Sequence, residues 1–558
     1  MGVTRNSTQS PAGYSAQNLS GNQLAARMAA AYNVAQRQNL SASIGDLGYL
    51  FKIHPAETAA GLVDANLRFG YLPGVVDRYG LNAVPGTTSM LAAANLAIKQ
   101  AKLGGGPDVV FGATAPYLID GILDLTTAVG ATNYGVTIRG EANNVAFSTS
   151  VPHRPQIIFK HALTQGFDCT GNNGLTFRDL SVGSDTVTFP KACFFLARNT
   201  DGASQICRFE NVRAIGAFSD SVLYNFGSED DVHIGCFYRN TTAGVAPKVI
   251  RMTSTNMSAF TSTFTAIDAA ASVSTIDHNF IGCQFQNDSV DANADLIYYD
   301  AVSDVRYYGC WAYMAGGRAV HYHDGSHSVS QSISFRDWVT ESISNSAHFA
   351  DFSNNAGITS GWRFDNVVSY STGTFLNCEG ALPTLDEFKI DQVLDVTNHG
   401  INIPGTLQNS IAYFFGPITI GTDTGNELHG NCPVWAITTS TNSKWYDWAS
   451  GALTWAPNLA GLTTATAVTF SNLRVSFDGS KISFNGQLNV GTALVSAAGQ
   501  QITGLPKPAI NGCDVSVVNA TTEVGYAGAF ISGSGITLPV INVGAGVTLL
   551  VSGSYFRA

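Results

Sequence analysis

A strand signature that recurs at intervals of about 25 residues constrains this chain more than any other feature. One apolar residue can be aligned in each copy: Leu175-Thr-Phe177-Arg-Asp179, Cys207-Arg-Phe209-Glu-Asn211, Val232-His-Ile234-Gly-Cys236, Asn279-Phe-Ile281-Gly-Cys283, Val305-Arg-Tyr-Tyr308-Gly-Cys310, Ile333-Ser-Phe335-Arg-Asp337, Trp362-Arg-Phe364-Asp-Asn366 and Phe388-Lys-Ile390-Asp-Gln392. The aligned centres are Phe177, Phe209, Ile234, Ile281, Tyr308, Phe335, Phe364 and Ile390, and they recur at similar intervals with one exception. The gap between Ile234 and Ile281 is nearly twice the others and has room for one weakly marked copy near Phe260–Ile267. Alternation of apolar and polar residues makes each copy a strand. Three strands and three turns fill a repeat of this length, and crossovers between parallel strands are right-handed. The expected fold is therefore all-β: a right-handed parallel β-helix whose three-faced rungs stack ~4.8 Å apart. A second series, Tyr298-Tyr-Asp300, Tyr322-His-Asp324, Phe349-Ala-Asp351 and Phe375-Leu-Asn377, repeats at nearly the same interval and supplies another strand of the same rungs. In this alignment Cys236, Cys283 and Cys310 form an inner thiol column. Asp300, Asp324 and Asp351 stack on successive rungs, and His321 and His348 share a position.

The flanks read differently. Residues 1–72 form an N-terminal segment with a short helix from Ser20, where Leu24, Met28, Ala31 and Ala35 make one stripe. That stripe suits a packed surface helix or a three-stranded bundle. The β-helix occupies 73–395, with a helix over Ser89–Lys102 near its start and the rungs themselves from Val109. Residues 396–453 are a connector in which the pattern fades. From 454 to 558 short strands alternate with turns, as in a β-sandwich or jelly roll. Only seven residues in these 105 are charged, which suggests burial against copies of itself.

The net charge of −11 argues against a nucleic-acid partner, whose phosphates need a basic surface. No run of 18 apolar residues and no secretory h-region are visible, so neither membrane insertion nor export is expected. The nine cysteines have no CxxC or metal-ligand spacing and read as buried free thiols, in keeping with assembly in a reducing cytoplasm.

The stretches Glu57-Thr-Ala-Ala-Gly61, Tyr71-Leu-Pro-Gly-Val-Val-Asp-Arg-Tyr-Gly80, Gly104-Gly-Gly-Pro-Asp-Val-Val-Phe111, Pro116-Tyr-Leu-Ile119 and Val136-Thr-Ile-Arg-Gly-Glu141 together resemble the start of the pectate-lyase-like β-helix of bacteriophage tailspikes. After Gly80 the chain departs from that family's Gly/Asp/Thr-rich turn and reads Leu81-Asn-Ala-Val-Pro-Gly-Thr-Thr88. The resemblance implies a homotrimer on a phage tail or baseplate, assembled in the host cytoplasm. It implies binding to a host surface polysaccharide (O-antigen or capsule) and its cleavage by endo-glycoside hydrolysis. A polysaccharide lyase and a non-catalytic receptor-binding fibre are the alternatives. No cofactor is implied, except Ca²⁺ for a lyase.

Glycoside hydrolysis needs two carboxyl groups of unlike pKa, ~5–5.5 Å apart for retention and ~6.5–9.5 Å apart for inversion. Stacked rungs supply such spacings. The expected acid/base pair is Asp324 and Asp351, with Asp300 or Glu341 as a third carboxylate, since three stacked carboxylates cannot all ionise comfortably. Trp311, Trp338 and Tyr313 are the candidate sugar platforms. His323 lies alongside, and Arg336 and Arg363 face outward, as a groove for an acidic sugar or as ion-pair ladders. The competing reading is architectural. An Asp/Asn column at a turn is ordinary in a β-helix, Asn377 continues it, and both tryptophans follow an inward position. Asp230, Asp277, Asp304 and Asp386, each four residues before a strand centre, read as turn caps. No metal site is expected; Asp288, Asp291 and Asp295 are the trio a Ca²⁺-dependent lyase would use.

Overall fold

The computed structural model describes residues 53–64, 67–68, 70–103, 106–112, 115–126, 135–140, 155–198, 205–242, 247–254, 275–323, 332–342, 348–352, 358–370, 374–378, 384–391, 394–395, 400–414, 418–430, 435–441, 443–447, 468–478, 481–490, 494–496, 501–503, 513–532, 535–538 and 541–556. The helix expected from Ser20 lies outside these residues. The chain divides into two compact units, one of residues 1–242 and 255–274, the other of residues 243–254 and 275–558.

In the first unit the helix Leu91–Ala101 precedes the rungs, with Ala93, Ala94, Ala97 and Ile98 on its buried side. Each rung then runs through three short strands, beginning with Val109–Phe111, Tyr117–Ile119 and Leu123–Asp124. Like strands pair in parallel. Ile138 lies beside Phe177, Phe177 beside Phe209, and Phe209 beside His233. The rings of Phe177 and Phe209 stack at 4.9 Å and those of Phe209 and His233 at 4.5 Å, so the interior is a continuous aromatic column.

The second unit repeats the plan. His278–Ile281, Gln284–Asn287 and Asp295–Asp300 make one rung, followed by Val305–Tyr308, Trp311–Met314 and Arg318–Tyr322. In the next two rungs the first two strands fuse into Ser334–Ser342 and Arg363–Ser369. Inside, Phe280, Tyr307, Phe335, Phe364 and Ile390 occupy one register column. The parallel ladder does not fade at 395: Lys389 pairs with Ile411, Ile411 with Glu427, and Glu427 with Lys444. These partners stand closer together along the chain than those of the earlier rungs, so a search at the longer period passes over them. The expected connector is thus largely β-helix. Beyond it, seven strands between Val468 and Phe556 form an antiparallel sheet, and Leu494–Ser496 pairs with Ile541–Val543 apart from it.

The register is marked by backbone geometry. Gly135, Gly174, Ile206, Asp230, Asp277, Asp304, Ser332, Gly361, Glu387, Asn409 and Gly425 all have positive φ, and each stands three residues before an inward centre. Asp179, Asn211, Gly235, Gly282, Gly309, Asp337 and Asn366 also have positive φ, two residues after it. Left-handed residues therefore bracket the first strand in seven rungs, and Asn, Asp and Gly hold most of these positions because they tolerate that conformation. This geometry corrects three alignments. The inward centres are His233, Phe280 and Tyr307, whereas Ile281 is 42% exposed. The slip arose because Ile234 looks like a better core residue than His233, and because Phe280-Ile281 and Tyr307-Tyr308 each offer two neighbouring candidates. The eight described cysteines are unpaired. Cys283 and Cys310 do occupy equivalent inward bends, and Cys310 Sγ donates to the Phe280 carbonyl at 3.4 Å.

Candidate functional site

Three clusters on the second unit hold the predicted site residues. The first is the aspartate ladder. Asp324 lies outside the described residues. The register places Tyr298 beside His321 and His321 beside Asp351, so Asp300 and Asp351 do not share a column. Arg318 pairs with His348, so the two histidines are not equivalent either. The error lies in the Tyr298-Tyr299 doublet. Tyr299, Tyr322 and Phe352 share one inward column; Tyr298 lies outside it, and Phe349, though fully buried against Phe375, belongs to a different column, level with Ala319. Asn377 does follow Asp351, donating to its Oδ1 at 3.3 Å.

The true neighbours of Asp351 make an ion network. Arg318 Nε donates to Asp295 Oδ1 at 2.7 Å and Nη1 to Asp351 Oδ2 at 3.1 Å, while His321 Nδ1 lies 3.4 Å from Asp295 Oδ2. Asp295, Asp351 and His321 are all buried. Burial works against the Arg318 charge, but Asp295 and Asp351 outweigh it and hold the guanidinium protonated. The carboxylates that meet here are Asp295 and Asp351 rather than the expected stack, and a cation stands between them. Buried and held by Arg318 and Asn377, Asp351 reads as a positioning residue. Arg318 went unnoticed in the sequence because it opens a strand, away from the aligned motif.

Asp300 differs. It is part-exposed, accepts from Thr253 Oγ1 at 3.3 Å, and lies 3.9 Å from His323 Nδ1. The Tyr298 ring stacks over His323, and burial, then Asp300, push its phenol up to about 12, so it remains a neutral donor.

The second cluster is aromatic. Trp311 and Tyr313 stand on the same outward face of one strand, with rings nearly parallel at 6.3 Å. Glu341, exposed, is the register partner of Tyr313, and Val339 is that of Trp311. Trp338 does not belong here. It is fully buried at the inward bend that Cys310 fills one rung earlier, and its indole N–H donates to Thr340. It is a core residue and cannot meet a sugar.

The third cluster is basic. Arg306, Ser334, Arg363 and Lys389 are successive register partners, with Tyr308, Arg336 and Asp365 in a parallel column. They line a cavity of about 320 Å³ that also takes in Asp304 and Ser332. Arg336 Nε meets Asp365 Oδ2 at 2.9 Å, as the ion-pair alternative expects. Arg306 and Lys389 were not singled out from the sequence, although their place immediately before an inward centre marks them as outward, and Tyr308, aligned there as a centre, is outward because Tyr307 is the centre.

Elsewhere the calcium trio does not converge. Asp295 is engaged by Arg318, Asp288 accepts from Gln286 at 2.7 Å, and among the described residues no group of three or more His, Cys, Asp or Glu is placed to hold a metal. In the first unit Asp124 and Asp168 are adjacent across a rung. Burial pushes Asp168 up to about 6, against hydrogen bonds from Thr170 and Gln165. Burial would also raise Asp124, but Thr126 and Lys102 hold it low. Unlike pKa values in adjacent carboxylates resemble an acid/base pair. Each, however, closes an Asp-x-Thr turn, and Asn240-Thr-Thr242 makes the same turn with an amide, so turn geometry alone accounts for them.

No family model matches the chain, and no curated protein matches it. Among solved structures it is similar to a protein encoded by Geobacillus virus E2 (13% identity, TM-score 0.39, 85% of this chain and 77% of that one). It is similar to a tailspike protein of Acinetobacter baumannii bacteriophage Fri1, a capsular polysaccharide depolymerase (11%, TM-score 0.33, 89% and 87%). It is also similar to the tailspike protein of E. coli bacteriophage HK620 in complex with pentasaccharide (10%, TM-score 0.35, 86% and 92%). Likenesses this distant carry no argument about the site, and the fold stands on the parallel ladders themselves.

Proposed function

We propose that this chain is a phage tailspike protein that binds a bacterial surface polysaccharide on the flank of its β-helix and cleaves it by endo-glycoside hydrolysis. The observation that carries the reading is the outward Trp311–Tyr313 pair beside Glu341. Flat, half-exposed aromatic faces on a rigid sheet suit pyranose rings, and a carboxylate within reach can accept their hydroxyls. The resemblance of the opening motifs to tailspikes supports the same reading and adds a homotrimer on the virion tail, assembled in the host cytoplasm. The carboxylates proposed for chemistry are Asp300, beside His323, then Asp324, which follows His323 in the chain, and Glu341. The lyase remains the second enzymatic reading, and a non-catalytic fibre the third.

The test is incubation of the full chain with a panel of bacterial O-antigens and capsular polysaccharides, reading binding, reducing ends and unsaturated-uronate absorbance. Binding with new reducing ends and no unsaturation is expected. Unsaturated products would select the lyase, and binding without chain shortening would leave the fibre. No binding across a broad panel would remove the reading altogether. Trp311→Ala should weaken binding by about 1–3 kcal/mol, as loss of a stacking platform does. Asp300→Asn, Asp324→Asn and Glu341→Gln sort the carboxylates, and full activity in all three would overturn their assignment.

A further inference from the structure

The basic cavity has a consequence for which polysaccharide is bound. Four cations line it, Arg306, Arg336, Arg363 and Lys389, against two anions, Asp304 and Asp365. This surplus lies on a chain whose net charge is −11, so it is a local inversion rather than background. The cations are not equally engaged. Arg336 is held by Asp365 at 2.9 Å, Lys389 reaches Asp391 at 3.8 Å, and Arg306 reaches Asp304 only at 3.9 Å. Arg363 is exposed, and among the described residues it has no ion-pair partner. Its register neighbours are Ser334 on one side and Lys389 on the other. The site thus presents a free planar guanidinium, an ammonium one strand away, the Ser334 hydroxyl, and the half-exposed ring of Tyr308 in the adjacent column.

We infer that this cavity is a subsite for a carboxylate-bearing sugar, a uronate or sialate residue of the polysaccharide, held by Arg363 and Lys389. The inference rests on the polysaccharide reading above and narrows its substrate class. A guanidinium fork matches a carboxylate in plane and spacing, and the hydroxyl of Ser334 can serve the ring oxygens, while that of Ser332 is taken by Asp304. A volume of about 320 Å³ is at the small end of ligand pockets, suited to one or two sugar residues. The two aspartates in the lining favour a singly charged group over a phosphate dianion. The repeat of the host polymer would then carry at least one acidic sugar.

The experiment uses the full chain and two sets of bacterial capsular polysaccharides, one containing glucuronate, galacturonate or sialate and one neutral. For each polymer bound, affinity is compared with that for the same polymer after chemical reduction of its carboxyl groups. The expected result is preference for the acidic set, a loss of at least about tenfold on carboxyl reduction, and a similar loss in Arg363→Gln toward the native polymer but not the reduced one. Binding should also weaken as salt rises. Equal affinity for native and reduced polymer, or binding confined to neutral polymers, overturns the inference while leaving the polysaccharide reading intact. Binding to none of them sinks both. Arg363→Gln is assayed together with its oligomeric state and melting temperature. A change of assembly in the variant would show that the cavity is a subunit contact and would overturn the assignment; Arg363→Lys, which keeps the charge and loses the fork, is expected to fall between wild type and the glutamine variant.

Discussion

Replacing Arg318 by glutamine removes the only cation that touches both Asp295 and Asp351 among the described contacts. The side chains of those two aspartates are 1% and 6% exposed, and that of Arg318 is 13% exposed, so water cannot take over the lost contacts without local opening. Each of the two charge-assisted hydrogen bonds is worth roughly 1.5–3 kcal/mol, and truncating one partner of a buried pair typically costs about 3–5 kcal/mol. The expected destabilisation of the second unit is in that range. Urea unfolding followed by tryptophan fluorescence suits the measurement, because Trp338 and Trp362 are fully buried in the same unit. The decisive comparison is the neutral triple variant Asp295→Asn, Arg318→Gln, Asp351→Asn. It should recover most of the loss, since no charge remains buried. If Arg318→Gln lies within about 0.5 kcal/mol of wild type, or if the triple variant is worse than the single one, the network does not hold the fold. The reassignment of Asp351 as a positioning residue would then fall with it.

Asp168, raised from 3.8 to about 6 by burial, contributes stability that is full below pH ~4 and lost as pH rises through about 6. A displacement of that size corresponds to about 3 kcal/mol, so Asp168→Asn should gain on wild type by that order between pH 4 and 7, and a pH-independent difference would refute the burial argument. Trp338→Ala should cost about 3–5 kcal/mol in urea unfolding by leaving a cavity at the bend. At concentrations where the variant stays folded its polysaccharide affinity should be unchanged; a selective loss of affinity would restore Trp338 to the site. Gly309 and Gly317 separate backbone strain from steric exclusion. Both have positive φ, but a Cβ at Gly309 meets no atom within 4 Å, whereas one at Gly317 would sit 1.9 Å from the Ala294 carbonyl oxygen. Gly309→Ala should therefore cost about 1 kcal/mol in thermal melts, and Gly317→Ala several times that.

What the amino-acid sequence determined on its own was the kind of fold. The spacing of apolar residues, the alternation within each copy and the recurring Asp, Asn and Gly beside it are local properties, and they lead to parallel rungs before any contact is known. It also placed Cys236, Cys283 and Cys310 as interior thiols, because these three fall at one point of the repeat. Register is a different kind of quantity. A strand displaced by one residue turns every side chain to the opposite face. The repeat alone could not choose between Tyr298 and Tyr299, between His233 and Ile234, or between Phe280 and Ile281. Turns of unequal length meant that distances along the chain did not convert into neighbours across it. The step from Tyr299 to its partner Tyr322 is shorter along the chain than that from His321 to Asp351, so aspartates aligned by eye came apart. The tertiary structure settled the matter by closing each turn and placing left-handed residues on both sides of the first strand. That closure put Arg318 between Asp295 and Asp351, drew Trp338 inside, and lined up Arg306, Arg363 and Lys389 on one outward face.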